Sequence, residues 1–140
     1  FILRLSGIYG PKRHYLLNQI QSSKVIAGSG DYFMNMIHVD DILSAILKLI
    51  NSEEPIVSGI YNLSDDTPTR KEDVVKWLSE QLNLSVPSFD KDLLSQRNAS
   101  RKTRTKNRRI ANRKLKDLLG LALKYPSYKE GYSQIIKQLS

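Results

Sequence analysis

Between Met34 and Asn51 the chain changes periodicity in mid-course, and that change constrains the fold more than any other feature. Met34 to His38 reads as extended, and directly after it Ile42, Ala45, Ile46, Leu49 and Ile50 fall at helical spacing. A wide apolar stripe has to be buried, so the spacing predicts a helix over about 39–51 that faces a core. Asp40 and Asp41 stand in its first turn, where carboxylates complement the positive end of the helix dipole. Neighbouring helical residues point about 100° apart, which argues against reading the two as a metal or catalytic pair.

Other segments repeat the alternation. Phe1 to Leu5 is a short apolar run with one Arg, stopped by Ser6-Gly7 and Gly10-Pro11 as a buried strand ending in a tight turn would be. Tyr15 to Ile20 suits a short helix, and Lys24 to Ala27 a strand closed by Gly28-Ser29-Gly30. Gly59 to Leu63 reads as another buried strand. Thr69 and Glu72 have capping-box spacing for a helix to about Leu82, with Val74, Val75, Leu78 and Leu82 inward. Ser85 to Ser100 is broken by Pro87 and is expected to be loop with a short helix, anchored by Phe89, Leu93 and Leu94. Two further helices are predicted, Ile110 to Leu119 ending at Gly120, and Tyr128 to Leu139 with Tyr132, Ile135, Ile136 and Leu139 inward. Strand alternating with helix is the signature of the α/β class, and 140 residues suffice for one modest core.

Charge is distributed unevenly. From Arg97 to Lys116 there are ten Lys/Arg and no Asp or Glu, while the rest of the chain is nearly neutral. Such a block can meet phosphates in nucleic acid or in a nucleotide ligand. It has no interleaved aromatic residues for base stacking and matches no nucleic-acid-binding signature, so a nucleic-acid-binding module is only the alternative reading. No apolar run is long enough to span a membrane, and the chain has no cysteine, which excludes disulfides and thiolate metal sites and agrees with a cytoplasmic protein.

Four motifs carry a family resemblance: RLSGIYGPKR at 4–13, MNMIHVDDILSAIL at 34–47, GIYNLSDDTPTRKEDVV at 59–75, and KNRRIANRKLKDLLGLALKYPSYKEGY at 106–132. Together they resemble the C-terminal half of the extended short-chain dehydrogenase/reductases, specifically the NAD(P)-dependent epimerase/dehydratase group. The resemblance implies the last sheet strands of a Rossmann-type fold plus the small substrate-binding lobe. By it, residues 1–140 are the C-terminal portion of a longer protein whose dinucleotide-binding half, with its glycine-rich fingerprint and Tyr/Lys pair, lies outside this chain.

The resemblance also implies roles. Leu5, Ser6, Gly7 and Ile8 would pass beside the nicotinamide of NAD or NADP, and Arg13, Asn35, His38, Arg108 and Arg109 would face a small-molecule substrate, a nucleotide-sugar or related polar compound. Family members often carry Arg where this chain has Met34, Asn35 and Met36, and a neutral Asn can bond a hydroxyl but cannot neutralise a phosphate. The residues themselves allow a plainer reading of His38, as a packed or capping side chain. No catalytic residue and no metal ligand is assigned within these 140 residues. The chain alone is expected to be inactive; a non-catalytic relative that only senses dinucleotide is the second alternative reading, and a homodimer, if formed by the full-length protein, would use helices of the other half.

Overall fold

The computed structural model describes residues 1–53, 55–93 and 107–139. In chain order the elements are β1 (Ile2–Leu5), β2 (Gly7–Tyr9), α1 (Tyr15–Ser22), β3 (Val25–Ala27), β4 (Phe33–Met34), β5 (Met36–His38) and α2 (Val39–Ile50). They continue with β6 (Ile60–Leu63), β7 (Thr69–Arg70), α3 (Lys71–Gln81), β8 (Ser88–Asp90), α4 (Arg113–Leu119) and α5 (Tyr128–Leu139). The chain folds into two compact units, each assembled from separated stretches of sequence. The first comprises Phe1–Arg13, Asn35–Pro68 and Arg109–Ser140, the second His14–Met34 and Thr69–Arg108.

In the first unit the chain from Ile2 to Tyr9 changes partner at Ser6. Before it, β1 runs parallel to β6 with Ile2 opposite Ile60 and Leu5 opposite Leu63. After it, β2 runs parallel to β5 with Gly7 opposite Met36 and Tyr9 opposite His38. The backbone bonds at the joint point to different strands, Ser6 N–H to the Leu63 carbonyl (3.0 Å) and Gly7 N–H to the Asn35 carbonyl (2.9 Å). Helices α2 and α4 pack on these strands around Ile37, Ile42, Ala45, Tyr61, Leu63, Leu115 and Leu121. Each aliphatic side chain fully buried there contributes about 1.5–3 kcal/mol, enough in sum to fix the register of such short strands. Helix α5 closes on β5 and on Tyr9, whose ring stacks on Tyr132 at 4.8 Å between centroids.

The second unit packs α1 on α3 through buried Leu16, Leu17, Ile20, Val74, Val75 and Leu78. Its strands pair as β3 with β8, parallel, and β4 with β7, antiparallel.

Several local expectations are corrected. Ser88–Asp90 is a strand, not loop or helix, because Ser88 N–H and Gly28 N–H bond the carbonyls of Lys24 (3.0 Å) and Asp90 (2.6 Å). Thr69 belongs to β7, and the first amides of α3 are satisfied by backbone rather than by a capping box: Lys71 N–H bonds Tyr32 O (3.0 Å) and Glu72 N–H bonds Gly30 O (3.1 Å). Met34 to His38 is extended as expected, in two short strands that meet at Asn35. The stripe of α2 is buried only in part: Ile42 and Ala45 face the core, whereas Ile46 and Ile50 are exposed. Leu139 of α5 is exposed as well. Leu94 and the basic residues from Arg97 to Lys106 lie outside the described residues. Helix α4 begins at Arg113 and ends as expected at Gly120, which takes a left-handed φ of 53°.

Candidate functional site

The partner exchange at Ser6 organises the site. Parallel strands present their carboxyl ends to ligands wherever neighbouring connections diverge, and here β1 and β6 end together at Leu5 and Leu63 while the chain moves on to β5. Leu5 and Gly7 are exposed at the joint, and Ile8 is half-buried against the core. The Ser6 hydroxyl is buried with no hydrogen-bond partner. A Cβ on Gly7 would come within 3.1 Å of the Asn35 carbonyl, so any larger residue here would require this backbone to give by a few tenths of an ångström. An exposed backbone turn beside an unpartnered hydroxyl fits a flat ring carrying hydrogen-bonding groups, and the four residues Leu5 to Ile8 could hold such a cofactor.

Asn35 stitches the site together. Its backbone carbonyl accepts from Gly7, and its side-chain Oδ1 accepts the amide of Ile110 at 2.7 Å. That second bond draws the segment beginning at Arg109 to the β2–β5 pair. Arg109 is exposed there and belongs to the first unit, whereas Arg108 is exposed in the second. Arg13 folds back on its own turn: Gly10 and Arg13 exchange backbone bonds, and Arg13 Nε donates to the Ile8 carbonyl at 3.3 Å.

His38 is fully buried and offers no surface to a ligand in this chain. Its Nδ1 accepts the Asp40 amide (3.2 Å) as the N-cap of α2, which puts the ring proton on Nε2. The ring lies 4.0 Å from that of Tyr125 and edge-on to that of Tyr9 at 5.2 Å. Burial, chiefly, holds its pKa below the ordinary imidazole value, with nearby Asp40 and Asp41 pulling the other way. The plainer reading of this residue is the one its geometry supports.

Sequence reasoning missed the polar side chains that fix the loops around the joint. Asp41 is buried and accepts the amides of Lys124 (2.7 Å) and Tyr125 (3.0 Å), so it anchors the Tyr125-Pro126 turn as well as starting a helix. Asn112 Nδ2 donates to the carbonyls of Ser64 (2.7 Å) and Asp65 (3.2 Å) and to Asp66 Oδ1 (2.7 Å). Two lysines of the basic block are engaged by protein: Lys116 pairs with Asp66 at 2.8 Å, and Lys114 Nζ lies 4.4 Å over the Tyr61 ring. Among the described residues no group of three or more His, Asp or Glu is placed to hold a metal, and no helix is long and apolar enough to cross a membrane.

No protein-family model matches the chain, and no curated protein does. Solved structures do. A conserved protein of unknown function from Silicibacter pomeroyi matches 97% of this chain and 48% of its own, with TM-score 0.80 and 28% identity. A protein from Methylobacillus flagellatus described as a candidate NAD-dependent epimerase/dehydratase matches 99% of this chain and 46% of its own, with TM-score 0.69 and 24% identity. The UDP-glucuronic acid 4-epimerase of Bacillus cereus, solved with UDP-glucuronic acid and NAD, matches 99% and 45%, with TM-score 0.73 and 19% identity. This chain spans less than half the length of each of the three. Over that span it has the Rossmann-type α/β fold of the NAD-dependent epimerase/dehydratase structures.

Proposed function

We propose that this chain is the C-terminal portion of an NAD(P)-dependent oxidoreductase or epimerase acting on a nucleotide-sugar or a related small polar substrate in the cytoplasm. Its part is to supply the nicotinamide-side loop and the substrate lobe. The observation that carries this reading is the joint at Ser6, where exposed Leu5 and Gly7 and an unpartnered hydroxyl meet at the carboxyl ends of parallel strands. NAD or NADP, once bound, supplies reversible hydride transfer, and Leu5 to Ile8 would wall one side of its ring. Asn35 holds Gly7 and the Arg109 segment in one place, so that a cationic side chain could meet an anionic substrate group beside the ring. The exposed apolar side chains along α2, Val39, Leu43, Ile46, Leu47 and Ile50, support a larger protein in which that face is covered. Activity would require the dinucleotide-binding half, and this chain by itself would transfer no hydride.

The test uses the chain as it stands. Titrating the isotopically labelled 140-residue chain with nicotinamide mononucleotide at millimolar concentration should move the amide resonances of Leu5, Ser6, Gly7 and Ile8 ahead of all others. Shifts confined to residues away from the Ser6 joint, or none at saturating ligand, would remove the basis for the reading.

A further inference from the structure

We propose that Asp65 is a proton-operated clasp: with its carboxyl protonated the Tyr125-Pro126 turn and helix α5 stay docked beside β2 and β5, and ionisation loosens them. This goes beyond the nicotinamide reading and does not depend on it. Asp65 is 1% exposed, and neither of its carboxylate oxygens accepts a well-formed hydrogen bond, although the Thr67 amide lies near enough to favour the charged form. A buried carboxylate without a partner is costly, and a native structure that keeps one needs a reason for it.

The backbone that carries this side chain is held from three directions. Asp65 N–H bonds the Met36 carbonyl at 2.7 Å, and that carbonyl also accepts the Ser64 hydroxyl at 3.3 Å. Asn112 holds the carbonyls of Ser64 and Asp65, and Asp66 N–H bonds the Pro126 carbonyl at 2.9 Å. These bonds fix the backbone at Asp65 against β5, the Asn112 segment and the Tyr125-Pro126 turn.

Its surroundings are acidic on every side. Asp66 lies in the same turn, Asp41 comes from α2 and Glu130 from α5, and all three oppose ionisation. The phenols of Tyr9 on β2 and Tyr132 on α5 are pushed up by burial and stay neutral below pH 10. The nearby cations are engaged elsewhere, Lys116 by Asp66 and Lys124 by Asp40. Burial first pushes the Asp65 carboxyl up to about 7; the Thr67 amide pulls the other way, and Asp66, Glu130 and Asp41 each add a smaller push upward. Because the folded value lies above the ordinary one of 3.8, the stabilising contribution is complete below pH 4 and lost as pH rises through 7. The charge that then appears is repelled by Glu130 of α5 and adjoins Asp66, whose amide holds the Pro126 carbonyl, so its first effect falls on the turn and on α5.

Three measurements on the full 140-residue chain test this. In carboxyl-labelled aspartate spectra, the resonance removed by Asp65→Asn should titrate near neutrality, well above the ordinary carboxylate range. The ratio of the unfolding constants of the parent chain and the Asp65→Asn variant should rise about a thousandfold from pH 4 to pH 8, the equivalent of about three pKa units. Amides of Tyr132 and Ile135 should lose protection above pH 7 in the parent and keep it in the variant. A resonance titrating near 4, or a ratio constant across that range, overturns the proposal.

Discussion

Replacing Gly131 with alanine separates packing from helix propensity by the sign of its effect. Gly131 lies in α5, where alanine is ordinarily better than glycine by up to about 1 kcal/mol. A Cβ at this position would stand 2.7 Å from both Cε2 and Cζ of Tyr9, and closer still to its hydroxyl. The Tyr9 ring is buried, stacked on Tyr132 and edge-on to His38, so it cannot retreat without moving both. Forcing a methyl group into a filled site costs about 1–3 kcal/mol, and more when a helix must shift. The net expectation is therefore destabilisation by about 1–2 kcal/mol, a loss of roughly 5- to 30-fold in the folding constant. Urea unfolding followed by circular dichroism would read it. Introducing Tyr9→Phe removes the nearest atom at small cost, since the Tyr9 hydroxyl makes only a long 3.4 Å bond to Ser127 O. Gly131→Ala should then cost less in that background, with a positive coupling in the double-mutant cycle. An equal or higher stability for Gly131→Ala alone would refute the close approach of α5 to Tyr9.

Asp41→Asn should destabilise the chain by about 1–3 kcal/mol, because one of the two amides it accepts, Lys124 or Tyr125, would face an NH2 group in a buried place; proteolysis near Tyr125 should accelerate, and an unchanged denaturation midpoint would count against the anchoring role. His38 gives a pH dependence of opposite sign to that of Asp65. Its folded pKa lies below the ordinary imidazole value, so the unfolded chain takes up a proton first and stability falls as pH drops below about 6.5. Measured in the Asp65→Asn chain, where the opposing slope is removed, the unfolding midpoint should fall between pH 7 and pH 5, and His38→Asn should flatten that slope.

Much of the fold is legible in the sequence because most of its elements announce themselves locally. Helix α5 occupies the predicted span, and Gly120 ends α4 with the left-handed turn that its position implied. What escapes is whatever depends on a partner far along the chain. Ser88–Asp90 has little strand pattern of its own and becomes one by lying against Val25–Ala27. The division into two units leaves no linker to find, since each is made of separated segments. The site follows the same rule. Leu5 to Ile8 and Asn35 stand out by motif, but the bonds by which Asn35, Asp65 and Asn112 hold the joint reach partners at sequence separations of 75, 29 and 47.

Helix α2 shows where a pattern that was present could have been read further. Apolar residues at 42, 45, 46, 49 and 50 mark a stripe, but Val39, Leu43 and Leu47 are apolar too, which leaves only Asp40, Asp41, Ser44 and Lys48 as polar positions in its twelve residues. A helix apolar nearly all round is characteristic of burial on more than one side. One side is met within the chain: Ile42 and Ala45 pack in the core with Leu63 and Leu115. The other is not met by the described residues, since Leu43 is 56% and Ile50 72% exposed. At about 25 cal/mol per Å² of apolar surface, such a face left in water forgoes several kcal/mol of available stabilisation. Periodicity therefore identified which residues want cover, and only the structure distinguished those that the described residues cover from those that they leave exposed.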